Sequence, residues 1–140
     1  MPRSTQNLRI LVASTNEDAY RDVDSALLDR IRDARVYWVS QAGLAVGRAG
    51  DVRPDVMLVY DDLGADESVQ LIRQMTTKMP AVRLLAIVDW SGMATANRAV
   101  LAGARGFLTL PLDGADLAAA LEQVVEAPAG IGPSPADEVC

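Results

Sequence analysis

One hundred and forty residues, half of them hydrophobic, are enough for one domain with a single sizeable core. No apolar run reaches the roughly 18 residues of a membrane span, and no apolar stretch precedes Leu8, so a cytoplasmic protein without signal peptide or membrane contact is expected. A formal net charge of −6, with arginines spread along the chain, argues against nucleic acid, and the absence of histidine with Cys140 as the single cysteine argues against a zinc site or an internal disulfide.

Residues 1–7 form a polar arm. Leu8-Arg-Ile-Leu-Val-Ala13 then has the length of a buried strand. Ser14-Thr15-Asn16 supplies helix-capping side chains, and Glu17 and Asp18 follow where a helix dipole favours acids. Tyr20, Val23, Leu27 and Ile31 recur at helical spacing. Val36-Tyr-Trp-Val39 reads as a strand by its branched and aromatic content, and a weaker Ala/Gly helix follows at about Gly43–Ala49. Val56-Met-Leu-Val-Tyr60 is the most continuously apolar strand and is placed at the centre. Asp61-Asp-Leu-Gly64 is read as a loop. Val69, Ile72, Met75 and Met79 mark a helix that Pro80 ends. Arg83–Val88 is a strand, Asp89-Trp-Ser-Gly92 a loop, and about Met93–Ala102 a helix stopped by Gly103. Gly106–Thr109 is a short strand, and Leu117, Leu121 and Val124 stripe the last helix. From Ala127 onward Pro, Gly and Ser dominate, so 127–140 reads as a linker or tail after a domain at 8–126.

Five strands alternating with five helices imply an α/β, three-layer, flavodoxin-like fold with a parallel sheet. Three segments carry a family resemblance across roughly residues 7–126. They are Val12-Ala-Ser-Thr-Asn-Glu-Asp18, Pro54-Asp-Val-Met-Leu-Val-Tyr60 and Ala102-Gly-Ala-Arg-Gly-Phe-Leu-Thr-Leu-Pro111. Their order and spacing resemble response-regulator receiver (CheY-like) domains. In that family the pocket holds two acids, a phospho-accepting Asp, a Ser/Thr and a Lys. The resemblance sets Ala13, Ser14, Tyr60, Val88 and Leu110 in those places.

Aspartyl phosphorylation needs carboxylates to hold Mg²⁺ and a hydroxyl and an ammonium to receive the phosphate. Ala13, Val88 and Leu110 offer neither ligand nor donor, Ser14 offers a neutral oxygen, and Tyr60 cannot form an acyl phosphate. The expectation is a degenerate pocket with no catalysis, no metal and no cofactor. Leu110 is expected to fill the vacated space against Ala13, Val88 and the Tyr60 ring. A slip of one residue would bring Asp61 to the acceptor position, with Asp62, Glu17 and Asp18 nearby. The other reading of these acids is caps and solvated loop residues.

The resemblance also implies an output and dimerisation face on the fourth helix, fifth strand and fifth helix, represented by Trp90, Met93, Arg98, Leu101, Arg105, Phe107 and Leu117. Phe107 matches an aromatic switch position and reads equally as a core filler. Trp90 reads as a contact anchor or as a ring packed on the domain. The function implied is a pseudo-receiver used for protein–protein interaction or localisation. Leu-Thr-Leu-Pro-Leu-Asp113 and the helix after it are similar to the N-terminal domain of CpaE/TadZ-type pilus assembly ATPases. The alternatives are a stand-alone adaptor in two-component signalling and a sensor of a small ligand in the vacated pocket.

Overall fold

The computed structural model describes residues 8–126, apart from 29, 32 and 90. The expected arm at 1–7, the tail at 127–140 and the contact anchor Trp90 lie outside the described residues. Five strands alternate with five helices: β1 Arg9–Ala13, α1 Glu17–Leu27, β2 Arg35–Val39, α2 Ala42–Val52, β3 Val56–Tyr60, α3 Ala65–Lys78, β4 Arg83–Val88, α4 Met93–Ala102, β5 Gly106–Thr109 and α5 Gly114–Glu126. All sheet pairings are parallel, in the order β2-β1-β3-β4-β5. That is the flavodoxin-like order, whose topological switch point lies between β1 and β3.

The side-chain alternation of a strand divides the core into two layers. Ile10, Val12, Leu58, Tyr60 and Ile87 face α1 and α5, where they meet Val23, Leu27, Leu117 and Leu121. Leu11, Ala13, Met57, Val59 and Ala86 face the opposite layer, with Ala45, Leu71, Ile72 and Ala99 from α2, α3 and α4. All five residues of β3 are buried, as its continuous apolar run requires of a central strand.

Helix ends follow local chemistry. Asn16 caps α1, its side chain accepting from the Asp18 N–H at 2.9 Å. Gly103 closes α4 at φ 132°, and any Cβ there would collide with Thr76, so glycine is required twice over. Several boundaries differ from the sequence reading: β1 and β2 begin at Arg9 and Arg35 and not at Leu8 and Val36, and α1 and α3 end at Leu27 and Lys78, short of Ile31 and Met79. The second helix runs longer than Gly43–Ala49, because Arg53 closes it in the left-handed conformation after Val52. Asp61–Leu63 is one turn of 3₁₀ helix rather than an irregular loop.

Candidate functional site

The carboxyl edge of the sheet brings together the ends of β1, β3, β4 and β5. Register decides which side chains meet there. Ala13 pairs with Val59, one step below Tyr60, so Ser14 stands level with Tyr60. Ala13 is 0 % exposed and belongs to the α2–α4 layer, whereas Tyr60 belongs to the α1–α5 layer. Ala13 therefore lies on the opposite face of the sheet from Tyr60, and the groups at the end of β1 that meet the acids after β3 are the Ser14 hydroxyl and the Thr15 N–H. A strand buried on both faces shows no alternation, which is why the sequence alone could not set this register.

Tyr60 sits where the acceptor is expected and is 3 % exposed. Its ring is part of the core beneath α1 and α5, and its hydroxyl is buried without a hydrogen-bond partner among the described residues. Burial raises the phenol pKa above its ordinary value, and the charges of Asp22 and Asp62 add to the shift. Leu110 is half-buried and packs on the same layer, so it covers the Tyr60 side of the sheet and not Ala13. Its N–H donates to the Val88 carbonyl at 2.9 Å, and Val88 is 1 % exposed. No hydroxyl or ammonium comes from either position.

The two acids after Tyr60 face opposite ways. Asp62 accepts from the Ser14 hydroxyl at 2.6 Å and from the Thr15 N–H at 3.1 Å, pinning the β1–α1 loop. Ser14 also accepts from the Asn16 N–H at 3.1 Å, and its carbonyl receives the Trp38 indole N–H at 2.9 Å. Asp61 turns toward β4, accepting from the Asp89 N–H at 3.4 Å. A Cβ at Gly92 would come within 2.5 Å of Asp61 Oδ2, so glycine permits the close approach of α4's first turn. Partial burial raises the Asp61 pKa, opposed by the Asp89 N–H and reinforced by the charges of Asp89 and Asp62. Asp89 is held below its ordinary value by the Ser91 hydroxyl and N–H. Among the described residues, no group of three or more carboxylates or thiolates is arranged to hold a metal ion. The sequence reading missed the parts played by Trp38, Thr15 and Gly92. The adjacent pair Asp61-Asp62 was its one legible signal.

The expected interaction face is assembled in part. Met93 is 40 % exposed, Leu101 88 % and Phe107 37 %, and Val100, not anticipated, joins them at 43 %. Arg98 reaches from α4 to Asp66 of α3 at 2.8 Å. Arg105 lies half-buried at the foot of β5, at the other edge of the sheet from the acidic loops. Leu117 is corrected: it is 0 % exposed and packs in the core, because the stripe Leu117, Leu121 and Val124 is the buried face of α5. Phe107 is resolved toward the surface, where it borders a shallow pocket of about 180 Å³ with Leu112 and Asp113.

No family model matches the chain. Over 111 residues it is 29 % identical to the DNA-binding transcriptional activator DevR/DosR of Mycobacterium tuberculosis, a match covering 76 % of this chain and 51 % of the relative. The chain thus spans about half the length of the curated relative it matches. A response regulator from Thermotoga maritima superposes with a TM-score of 0.76 at 18 % identity, over 86 % of this chain and 98 % of the other. The receiver domain of NtrX from Brucella abortus superposes with a TM-score of 0.74 at 21 % identity, over 85 % and 99 %. The fold is that of CheY-like receiver domains.

Proposed function

We propose that this domain is a pseudo-receiver, a receiver fold that signals by protein contact and not by aspartyl phosphorylation, and that it catalyses no reaction. The observation that carries the reading is Tyr60, which fills the acceptor position with a core ring while Leu110 packs on its layer. Asp61 and Asp62 are already employed as acceptors for loop N–H and hydroxyl groups. A phosphoryl group on Asp61 would meet Val88 and Leu110 in place of a hydroxyl and an ammonium.

The contact surface in this reading is the apolar strip of Met93, Val100 and Leu101 on α4 with Phe107 beside it. Side chains of this size and exposure are the kind that anchor partners. A second copy docked through α4 and β5 gives a homodimer, and a partner protein on the same strip gives an adaptor. The likeness of the Leu-Thr-Leu-Pro-Leu-Asp113 segment to CpaE/TadZ N-terminal domains supports a localisation role beside a pilus assembly ATPase.

Intact mass after incubation with acetyl phosphate and Mg²⁺, run beside Asp61→Asn, tests the reading. An unchanged mass is expected. A gain of one phosphoryl group that Asp61→Asn abolishes would overturn it and make Asp61 the acceptor of a working switch.

A further inference from the structure

The exposed apolar side chains are not scattered over the surface. Among the described residues six large hydrophobics are exposed, and four of them, Met93, Val100, Leu101 and Phe107, lie on α4 and β5. Met93, Val100 and Leu101 follow at i, i+7 and i+8, so they share one side of α4 over about 12 Å. β5 is the last strand of the sheet, and no further strand covers Phe107 from outside. Past Phe107 the strip runs into the pocket of about 180 Å³ that Leu112, Asp113 and Asp116 also line. An apolar strip thus ends on two carboxylates.

The charges of this face are one-sided. Asp113 Oδ1 caps α5, accepting from the Ala115 N–H at 2.8 Å and the Asp116 N–H at 3.0 Å. Asp116 is exposed, and among the described residues its carboxylate has no hydrogen bond or ion pair. No cation of the face answers it. Across α4, β5 and α5 the one basic residue is Arg98, which already holds Asp66 of α3 at 2.8 Å. Arg105, just before β5, is partnered as well. A second copy docked through this same face would bring no uncommitted cation and a net charge of −6 of its own.

We infer that the α4–β5 strip binds a cationic amphipathic helix of a different protein, its apolar stripe on Met93, Val100, Leu101 and Phe107 and a lysine or arginine on Asp116. The inference rests on the reading of this strip as the contact surface, and it decides between the two occupants named for it. Apolar side chains at i, i+4 and i+7 of a partner helix span about 10 Å, close to the length of the strip along α4. A basic residue on the flank of that helix meets the one carboxylate of the pocket that the fold leaves uncommitted.

A fluorescent peptide of about 16 residues, with leucines at i, i+4 and i+7, lysines on one flank and alanine elsewhere, is titrated with the full chain and read by anisotropy. Saturable binding is expected. Leu101→Glu should weaken it at least about tenfold. Asp116→Lys should weaken it about fivefold, with Asp116→Asn between that variant and wild type. Asp51→Lys changes the net charge equally on exposed α2 and should leave binding unchanged. Glutamates in place of the peptide lysines should abolish it. Circular dichroism melts confirm folding, and Asp116→Asn carries the test if Asp116→Lys does not fold. Absence of binding, equal losses from Asp51→Lys and Asp116→Lys, or equal affinity for the glutamate peptide would each overturn the inference. So would sedimentation of the wild-type chain as a dimer that Leu101→Glu dissociates, since the strip would then belong to a second copy. The two readings fail separately. A phosphoryl group gained under acetyl phosphate overturns the pseudo-receiver, whereas absent peptide binding in a chain that gains none overturns the cationic partner alone.

Discussion

Tyr60 brings a hydroxyl into a layer otherwise made of Val12, Val23, Leu58, Ile87 and Leu117. A buried polar group without a partner costs about 1–3 kcal/mol. Tyr60→Phe keeps the ring and removes that cost, so it is expected to raise unfolding stability by about 1 kcal/mol in urea titration. Tyr60→Asp puts an ionisable group into the same place and is expected to destabilise by several kcal/mol, being both a large-to-small change and a buried charge. A stabilised Tyr60→Asp would mean that the pocket still accepts a carboxylate. The chemical identity of this residue was legible in the sequence, where a phenol cannot replace an acyl-phosphate acceptor. Its burial partners were not, because they depend on which way each strand residue points. Leu117 was misplaced for a related reason: an i, i+4, i+7 stripe on a helix states that one face is buried without stating against what.

At the scale of elements, strand boundaries were read closely because a buried parallel strand is a short apolar run between polar turns. Val56–Tyr60, Arg83–Val88 and Gly106–Thr109 coincide with β3, β4 and β5. The helix α2 was the poorest fit, and its composition gives the cause. Gly43, Gly47 and Gly50 lie within its eleven residues, weakening the helical pattern. All three are exposed, and a Cβ at any of them meets no atom within 4 Å. No packing among the described residues requires them. Gly47→Ala is therefore expected to add about 1 kcal/mol of stability, the ordinary difference between these residues inside a helix, with a higher thermal midpoint. A neutral or destabilising result would show that the exposed backbone of α2 is held in a conformation that alanine disturbs.

For the molecule as a whole, the parallel topology brings Asp61, Asp62 and Asp89 together at the carboxyl edge of the sheet, and two of these acids govern how stability follows pH there. The carboxylates concerned are shifted in opposite senses. Asp61 holds its proton more tightly in the folded chain, because burial and the charges of Asp89 and Asp62 disfavour its anion. Its contribution to stability is therefore complete below the ordinary carboxylate range and is lost as pH rises through its folded pKa. Asp89, lowered by the Ser91 hydroxyl and N–H, contributes at neutral pH and loses that contribution as pH falls through its folded pKa. Replacing Asp61 with asparagine keeps an oxygen to accept from the Asp89 N–H and deletes the disfavoured charge. Asp61→Asn is expected to melt above wild type at neutral pH. The gap should close as pH falls to about 3, where wild-type Asp61 is itself protonated. Thermal melts of both proteins across that range measure the gap directly. A variant that melts below wild type at neutral pH would mean that the charged hydrogen bond to Asp89 outweighs burial. Asp61 would then be a strap on the first turn of α4, and the position of the exposed strip of Met93, Val100 and Leu101 would depend on its charge.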